Sequence, residues 1–279
     1  MNIFTRKGTE APKSQADLIY DAIQRKERQF RGGVILSWII LLIFLIFLFS
    51  GQNYLGIKTI ELDSEFIRKN LIFIAGGLGE TIRISLFSIT FATFLALLAA
   101  LGRLSTFPPI YALSTFYVSL IRGTPLYLQI FFFFLALPQL GIILPGLWAG
   151  VIALGLNYGA YMSEIFRAGL SSVGKGQREA ALALGMTPAQ TMRRIVLPQA
   201  LRFAIPPTGN EFIAMTKDSA LVSATGFVHE LMWRATRVGR AQFHNLEALI
   251  MAAIFYWVMT LILTSLQSRL EARLGKGDR

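Results

Sequence analysis

Glu211 and Asp218 stand seven residues apart in "NEFIAMTKDSALVS" (residues 210–223), within a largely apolar chain. On a helix of 3.6 residues per turn they share one face, roughly 10 Å apart along the axis. Met215 lies on that face too. An ionisable group inside a membrane-spanning helix costs about 2.5–3.5 kcal/mol on insertion scales, so it marks a functional position by default. Two carboxylates on one face could line a water-filled path and hold an ammonium group or a basic side chain. The competing reading is local: Lys217 neutralises one carboxylate, and Asp218 with Ser219 caps a helix where the span breaks. The sequence leaves both open.

Arg122 precedes Gly123 and Pro125 in "RGTP", where proline predicts a helix break. An arginine at such a break suits a substrate α-carboxylate through its two-pronged geometry, or else forms a structural salt bridge with Glu211 or Asp218, or sits at the membrane surface. Asn157 and Tyr161 are spaced i,i+4 and share a helix face. Glu164, one turn further, reads best as an interfacial charge paired with Arg167. No Ser/His/Asp arrangement supports nucleophilic catalysis, so no catalytic residue is expected. His229 and His244 have no companion ligands nearby in sequence, and the chain has no cysteine, so no metal site is expected either.

The elements that must carry these residues follow from composition. Of 279 residues, 54% are apolar and 15% charged, against about a quarter charged in soluble domains. A net charge of +11 would in a soluble protein raise the question of nucleic acid. Here the basic residues sit in the tail and between apolar runs, where they orient a membrane protein; no nucleic-acid partner is expected. About six spans of about 20 residues are predicted: Val34–Ser50, Ile82–Leu101, Tyr111–Leu137 broken at "RGTP", Leu147–Phe166, a polar fifth in "IPPTGNEFIAMTKDSALVSATGFV" (205–228), and Ala248–Leu266. Leu71–Ile74 is too short to span. Arg25, Lys26, Arg28 and Arg31 before the first span place its start in the cytoplasm, and six spans then put both termini and the 167–202 loop there. Arg234, Arg237 and Arg240 then fall outside, against that bias.

The longest polar connection, 167–202, has its own punctuation. Glu179–Leu184 favours helix, and Gly185 fits the left-handed position that ends one. Thr187, Pro188 and Gln190 form an N-cap, N1 and capping-box set. Two short helices joined at a fixed turn are predicted, the second carrying Arg193 and Arg194. They could rest on anionic lipid at the inner leaflet or dock into a groove of a partner.

Glu179-Ala180-Ala181, then Gly185, then "IVLP" (195–198) resembles the EAA loop of ABC importer permeases. "RGTPLYLQIFF", "LNYGAYMSEIFRAGL", "GKGQREAALALG", "RIVLPQALRFAIPP" and "NEFIAMTKDSALVS" are similar, in order, to the polar amino-acid branch of that family, over 79–270. The resemblance implies an all-α, polytopic membrane protein of the type I ABC importer permease kind. The loop, with Arg178, Glu179, Ala180, Ala181 and Gly185, would be the coupling helix. The path would involve Asp218, Glu211, Arg122, Asn157, Tyr161, Ser219 and Met215. Implied partners are an ATP-binding subunit dimer, a second permease that is the same or homologous, an extracytoplasmic amino-acid-binding protein docking on Phe227–Asn245, and membrane lipid. ATP and Mg would bind the partner ATPase: this chain lacks a G-x-x-x-x-G-K-[ST] loop, and no cofactor is expected in it. The location implied is the bacterial inner membrane, multi-pass. Residues 1–78 stand apart as a basic tail, an added span and an external segment, and 271–279 as a basic tail. An ion-coupled secondary transporter using Glu211 and Asp218 is the alternative.

Overall fold

The computed structural model describes residues 15–54 and 57–274. The expected basic tails lie outside it for residues 1–14 and 275–279. The chain divides between Leu62 and Asp63 into two compact units. In the first, helix α1 (Gln15–Leu48) carries an uninterrupted apolar run, with Ile23–Leu48 long and apolar enough to cross a membrane. A small antiparallel ladder, β1 (Asn53–Tyr54) with β2 (Ile57–Lys58), pairs Asn53 with Lys58. Among the described residues the other regular elements are helical.

The second unit begins with α2 (Ser64–Ala75), capped by Asp63 Oδ1, which accepts from Phe66 N–H at 2.9 Å. Gly76 and Gly77 keep right-handed backbone, so α2 leads into α3 (Leu78–Gly102), and Ser64–Gly102 together meet the requirements of a span. The apolar Leu71–Ile74 segment is thus the foot of the second span. After a turn at Arg103 come α4 (Pro108–Arg122) and α5 (Leu126–Gln139), bent by 110° at the expected break. Then follow α6 (Gly146–Ser172), α7 (Lys175–Ala183) and α8 (Pro188–Thr191). A π-helical turn (Met192–Val196) joins α8 to α9 (Leu197–Asp218), which ends in a 3-10 segment (Ser219–Thr225). Helices α10 (Leu231–Gln242) and α11 (Asn245–Leu274) complete the unit.

Three helical stretches among the described residues are long and apolar enough to cross a membrane, and the bent α4–α5 pair adds a fourth if it counts as one span. Helices α6 and α9 stand where the fourth and fifth spans are expected but are less apolar. The reason is chemical: they carry Asn157, Glu164, Glu211, Lys217 and Asp218.

The core follows from small residues at helical spacing. Helix α3 buries Ser85, Ser88, Ala92, Ala96 and Ala99 on one stripe, and packs along α6. Between membrane helices such stripes let backbones approach closely. A Cβ on Gly155 of α6 would lie 2.4 Å from the Phe91 ring of α3, so only glycine fits. Ala200, Ala204 and Met215 of α9 join this cluster, while Phe66, Leu231, Ala235, Ala248 and Met251 form a second one among α2, α10 and α11.

The polar connection differs from expectation in one respect. Its second helix is not short and separate: from Pro188 the chain stays helical to Asp218. Pro198 has no N–H for the ordinary ladder, and just before it the π turn shifts register, Leu197 N–H donating to Met192 O.

Candidate functional site

The α4–α5 break creates orphan carbonyls, and one side chain answers them. Gln129 Nε2 donates to Ile121 O at 2.7 Å, Thr124 O at 3.0 Å and Thr124 Oγ1 at 2.8 Å. Its Oε1 accepts from Asn157 Nδ2 at 3.0 Å. The break is therefore fixed to α6, and Asn157 is oriented by it. On the next residue of α6, Tyr158 Oη donates to Asp218 Oδ2 at 2.8 Å. Tyr158 is 4% exposed, so its hydroxyl holds Asp218 from the buried side.

Together these elements enclose a cavity of about 270 Å³ lined by Thr124, Pro125, Leu126, Asn157, Tyr158, Tyr161, Glu211 and Asp218. Four of the residues singled out from sequence meet there: Glu211, Asp218, Asn157 and Tyr161. The only ionisable side chains in the lining besides the two tyrosines are the two carboxylic acids, which gives the cavity an acidic wall. Three others are placed elsewhere. Met215 is fully buried in the core. Ser219 is also buried, and its Oγ donates to Thr216 O at 2.9 Å. Arg122 stands at the cavity's edge, its guanidinium 5.2 Å from the Tyr161 ring centroid, and donates to Glu164 Oε1 at 3.2 Å. Lys217 is exposed, and among the described residues it pairs with neither carboxylate.

Glu164 pairs with Arg167 as expected, through bonds of 2.9 and 2.8 Å from Nε and Nη2 to Oε2. It also accepts from Arg103 and Arg122. Arg103 and Arg122 are remote from Glu164 in sequence, as Asp218 is from Tyr158 and Asn157 from Gln129, and such pairings leave no local signal.

The connection at 175–191 is locally rigid. Gly185 has φ +80°. Thr187 Oγ1 accepts from Gln190 N–H at 3.2 Å, and Gln190 Oε1 accepts from Thr187 N–H at 2.9 Å. Arg178 Nη2 donates to Leu170 O, tying α7 to the end of α6. Glu179 and Ala180 are exposed and Ala181 is buried, while Leu184 is 83% exposed. The helix thus presents an acid, an alanine and a leucine outward.

In the Phe227–Asn245 segment, Arg234 Nη1 donates to Phe73 O at 3.1 Å, and Arg237 lies over Trp233. Two of the three arginines that oppose the positive-inside bias are thus engaged in packing. His244 has partners the sequence did not suggest: Nε2 is 3.5 Å from Asp63 Oδ2 and Nδ1 is 3.3 Å from Glu247 Oε1. Glu230 is buried, caps α10 by accepting from Trp233 N–H at 2.7 Å, and accepts from Tyr256 Oη at 2.6 Å. Burial raises its carboxyl above the usual carboxylate range.

The family model described as "Binding-protein-dependent transport system inner membrane component" matches residues 71–276. The arginine transport system permease protein ArtQ of Bacillus subtilis is 40% identical over 219 residues, covering 78% of this chain and 100% of that protein. The L-cystine transport system permease protein TcyB of the same organism is 41% identical, covering 73% of this chain and 87% of its own. A crystal structure of an amino acid ABC transporter with histidines superposes at a TM-score of 0.71 and 38% identity, covering 76% of this chain and 99% of that one. The inward-facing MetNI methionine ABC transporter shares the fold at a TM-score of 0.62 and 19% identity.

Proposed function

The chain belongs to the family of binding-protein-dependent transport system inner membrane components, and on that premise we propose that it is the permease subunit of an ATP-driven importer for polar amino acids. It is a multi-pass inner-membrane transport component and not a catalyst. Its family implies an ATP-binding subunit and a substrate-binding protein as partners. The finer composition in this reading is two ATP-binding subunits, a second permease of the same or homologous sequence, and a binding protein seated on Phe227–Asn245. Both termini face the cytoplasm, in keeping with the basic residues before the apolar run of α1. ATP and Mg bind the partner ATPase.

One observation carries the substrate reading. Glu211 and Asp218 share a cavity with no cation in its lining, at the far end of the helical run that begins at the capped connection. Every amino acid brings an ammonium group to such a receptor, and names of relatives include arginine and cystine carriers. Residues 175–191 act as the coupling helix: a slack segment would absorb a partner's motion, and a turn fixed by Gly185 and a capping box transmits it.

Reconstitution tests this. The chain, its ATPase and its binding protein in liposomes should import a labelled amino acid only with ATP inside the ATPase compartment, with ionophores having no effect. Uptake driven by an ion gradient without the ATPase would overturn the proposal.

A further inference from the structure

Three guanidiniums converge on Glu164: Arg103 from the end of α3, Arg122 from the end of α4 and Arg167 from α6 itself. Three positive charges against one carboxylate leave a net of two, and such a cluster can accept a further anion. The three are not held alike. Arg167 forks onto Oε2 with two bonds, at 2.9 and 2.8 Å. Arg103 has the least exposed side chain of the three, at 21%. Arg122 has one bond of 3.2 Å, to the oxygen that already accepts from Arg103, and its side chain is 43% exposed. It is the guanidinium released at least cost. Its departure leaves Glu164 paired twice, so no buried charge is stranded.

Arg122 is also the one beside the cavity. Its guanidinium lies over Tyr161, and Tyr161, Thr124 and Pro125 are all in the cavity lining. The lining itself offers carboxylates and no cation, so an amino acid's ammonium end is provided for and its carboxylate end is not.

We propose that Arg122 is a transferable carboxylate receptor: it exchanges Glu164 for the α-carboxylate of an amino acid whose ammonium end faces Glu211 and Asp218. The inference rests on the cavity being the substrate site. The exchange replaces one carboxylate partner by another, and the Tyr161 face gives the planar guanidinium a surface to move across. Glu164 is a positioning residue, holding Arg122 near the cavity and competing with substrate for it.

The test uses the permease–ATPase complex in lipid nanodiscs, with ligand binding read as thermal stabilisation. Each of the common amino acids is titrated, followed by the amine obtained by decarboxylating the strongest. The wild-type complex should prefer the amino acid over its amine by about tenfold or more in half-saturating concentration. Arg122→Gln should abolish that preference by weakening the amino acid alone. Glu164→Gln should tighten the amino acid severalfold and leave the amine unchanged, which a structural role would not produce. Equal weakening of both ligands by Arg122→Gln, or weaker amino-acid binding in Glu164→Gln, would overturn the proposal. Should Arg122→Gln fail to assemble, the direction of the Glu164→Gln effect decides. Binding sensitive to Asp218→Asn but not to Arg122 would sink this inference alone. Binding insensitive to Asp218→Asn, or absent for every amino acid, would sink the cavity reading with it.

Discussion

Asp218→Asn isolates the charge of the cavity from its shape. Asparagine keeps the size of the side chain and an oxygen that can accept from Tyr158 Oη, now 2.8 Å from Oδ2. What disappears is the charge that the proposed function sets opposite an ammonium group. A hydrogen bond to a charged partner nets about 1.5–3 kcal/mol, so half-saturation should rise roughly 10- to 150-fold. Tyr158→Phe removes only the hydroxyl that aims Asp218, and should cost about 1 kcal/mol, roughly fivefold. The hydroxyl acts through Asp218, so the double variant should match Asp218→Asn within about twofold instead of multiplying the two effects. The assay is substrate-stimulated ATP hydrolysis by the complete complex in nanodiscs, with melting temperature as a control for folding. Unchanged stimulation and half-saturation in Asp218→Asn would refute the substrate role. Fully multiplicative effects would refute the claim that Tyr158 works through Asp218.

Three further expectations concern the elements around the cavity. Gly185→Pro cannot adopt φ +80°, and the distortion should cost about 3 kcal/mol locally. With Glu179→Ala on the exposed face, it should uncouple ATP hydrolysis from uptake while the spans still insert; normal uptake per ATP in both variants would sink the docking role. Glu230 has a folded pKa raised by burial, so its protonated form favours the native state. That stability is full below about pH 4.3, the unfolded value, and is lost as pH rises through the folded value. Glu230→Gln mimics the protonated form, so the melting-temperature difference between variant and wild type should grow in the variant's favour with rising pH; a pH-independent difference would count against it. Gln267 Nε2 donates to Pro206 O at 3.1 Å and to Asn210 Oδ1 at 3.0 Å, tying α11 to α9 beside two consecutive prolines. Gln267→Leu should lower stability by about 1–2 kcal/mol and reduce uptake per ATP more than basal hydrolysis, read by paired transport and phosphate-release measurements. Equal loss of both would make the bond merely structural.

Local chemistry was legible and distant chemistry was not. The capping box at Thr187–Gln190, the left-handed Gly185 and the break at 122–125 depend on residues within a few positions, and all stand where their types required. The shared face of Glu211 and Asp218 follows from helical period, and both line one cavity. Met215 shows the limit of that inference: four residues from Glu211 it is rotated by about 40°, and on a helix packed against others that suffices to put it in the core. The sequence offered Arg122 the acids Glu211 and Asp218; it meets Glu164 instead because two helix ends, at 103 and 122, arrive at the same turn of α6. Register is equally silent in sequence. The π turn at 192–196 shifts the helical register just before Pro198, ahead of the residues that line the cavity, yet no residue type announces it.

That register shift matters for how work could reach the substrate. From Pro188 to Asp218 the chain is one helical run of about 45 Å at 1.5 Å per residue, with the capped turn at one end and the acid pair at the other. A run without weak points would carry displacement unchanged. This one has two: the π turn, and Pro206-Pro207, which removes two ladder bonds. The first buries its own Val196 and the second accepts a bond from Gln267, so each is supported by packing or a side-chain bond where its own backbone is deficient. Among the described residues these are the places where the run's own backbone bonding is interrupted, and the segment between Gly209 and Asp218 that bears both carboxylates lies beyond both. A motion of the capped turn would then change the orientation of Glu211 and Asp218 together, against a Tyr158 and an Asn157 that α6 holds still. Under the proposed function, a change of that kind would alter the affinity of the cavity without breaking any bond within α9.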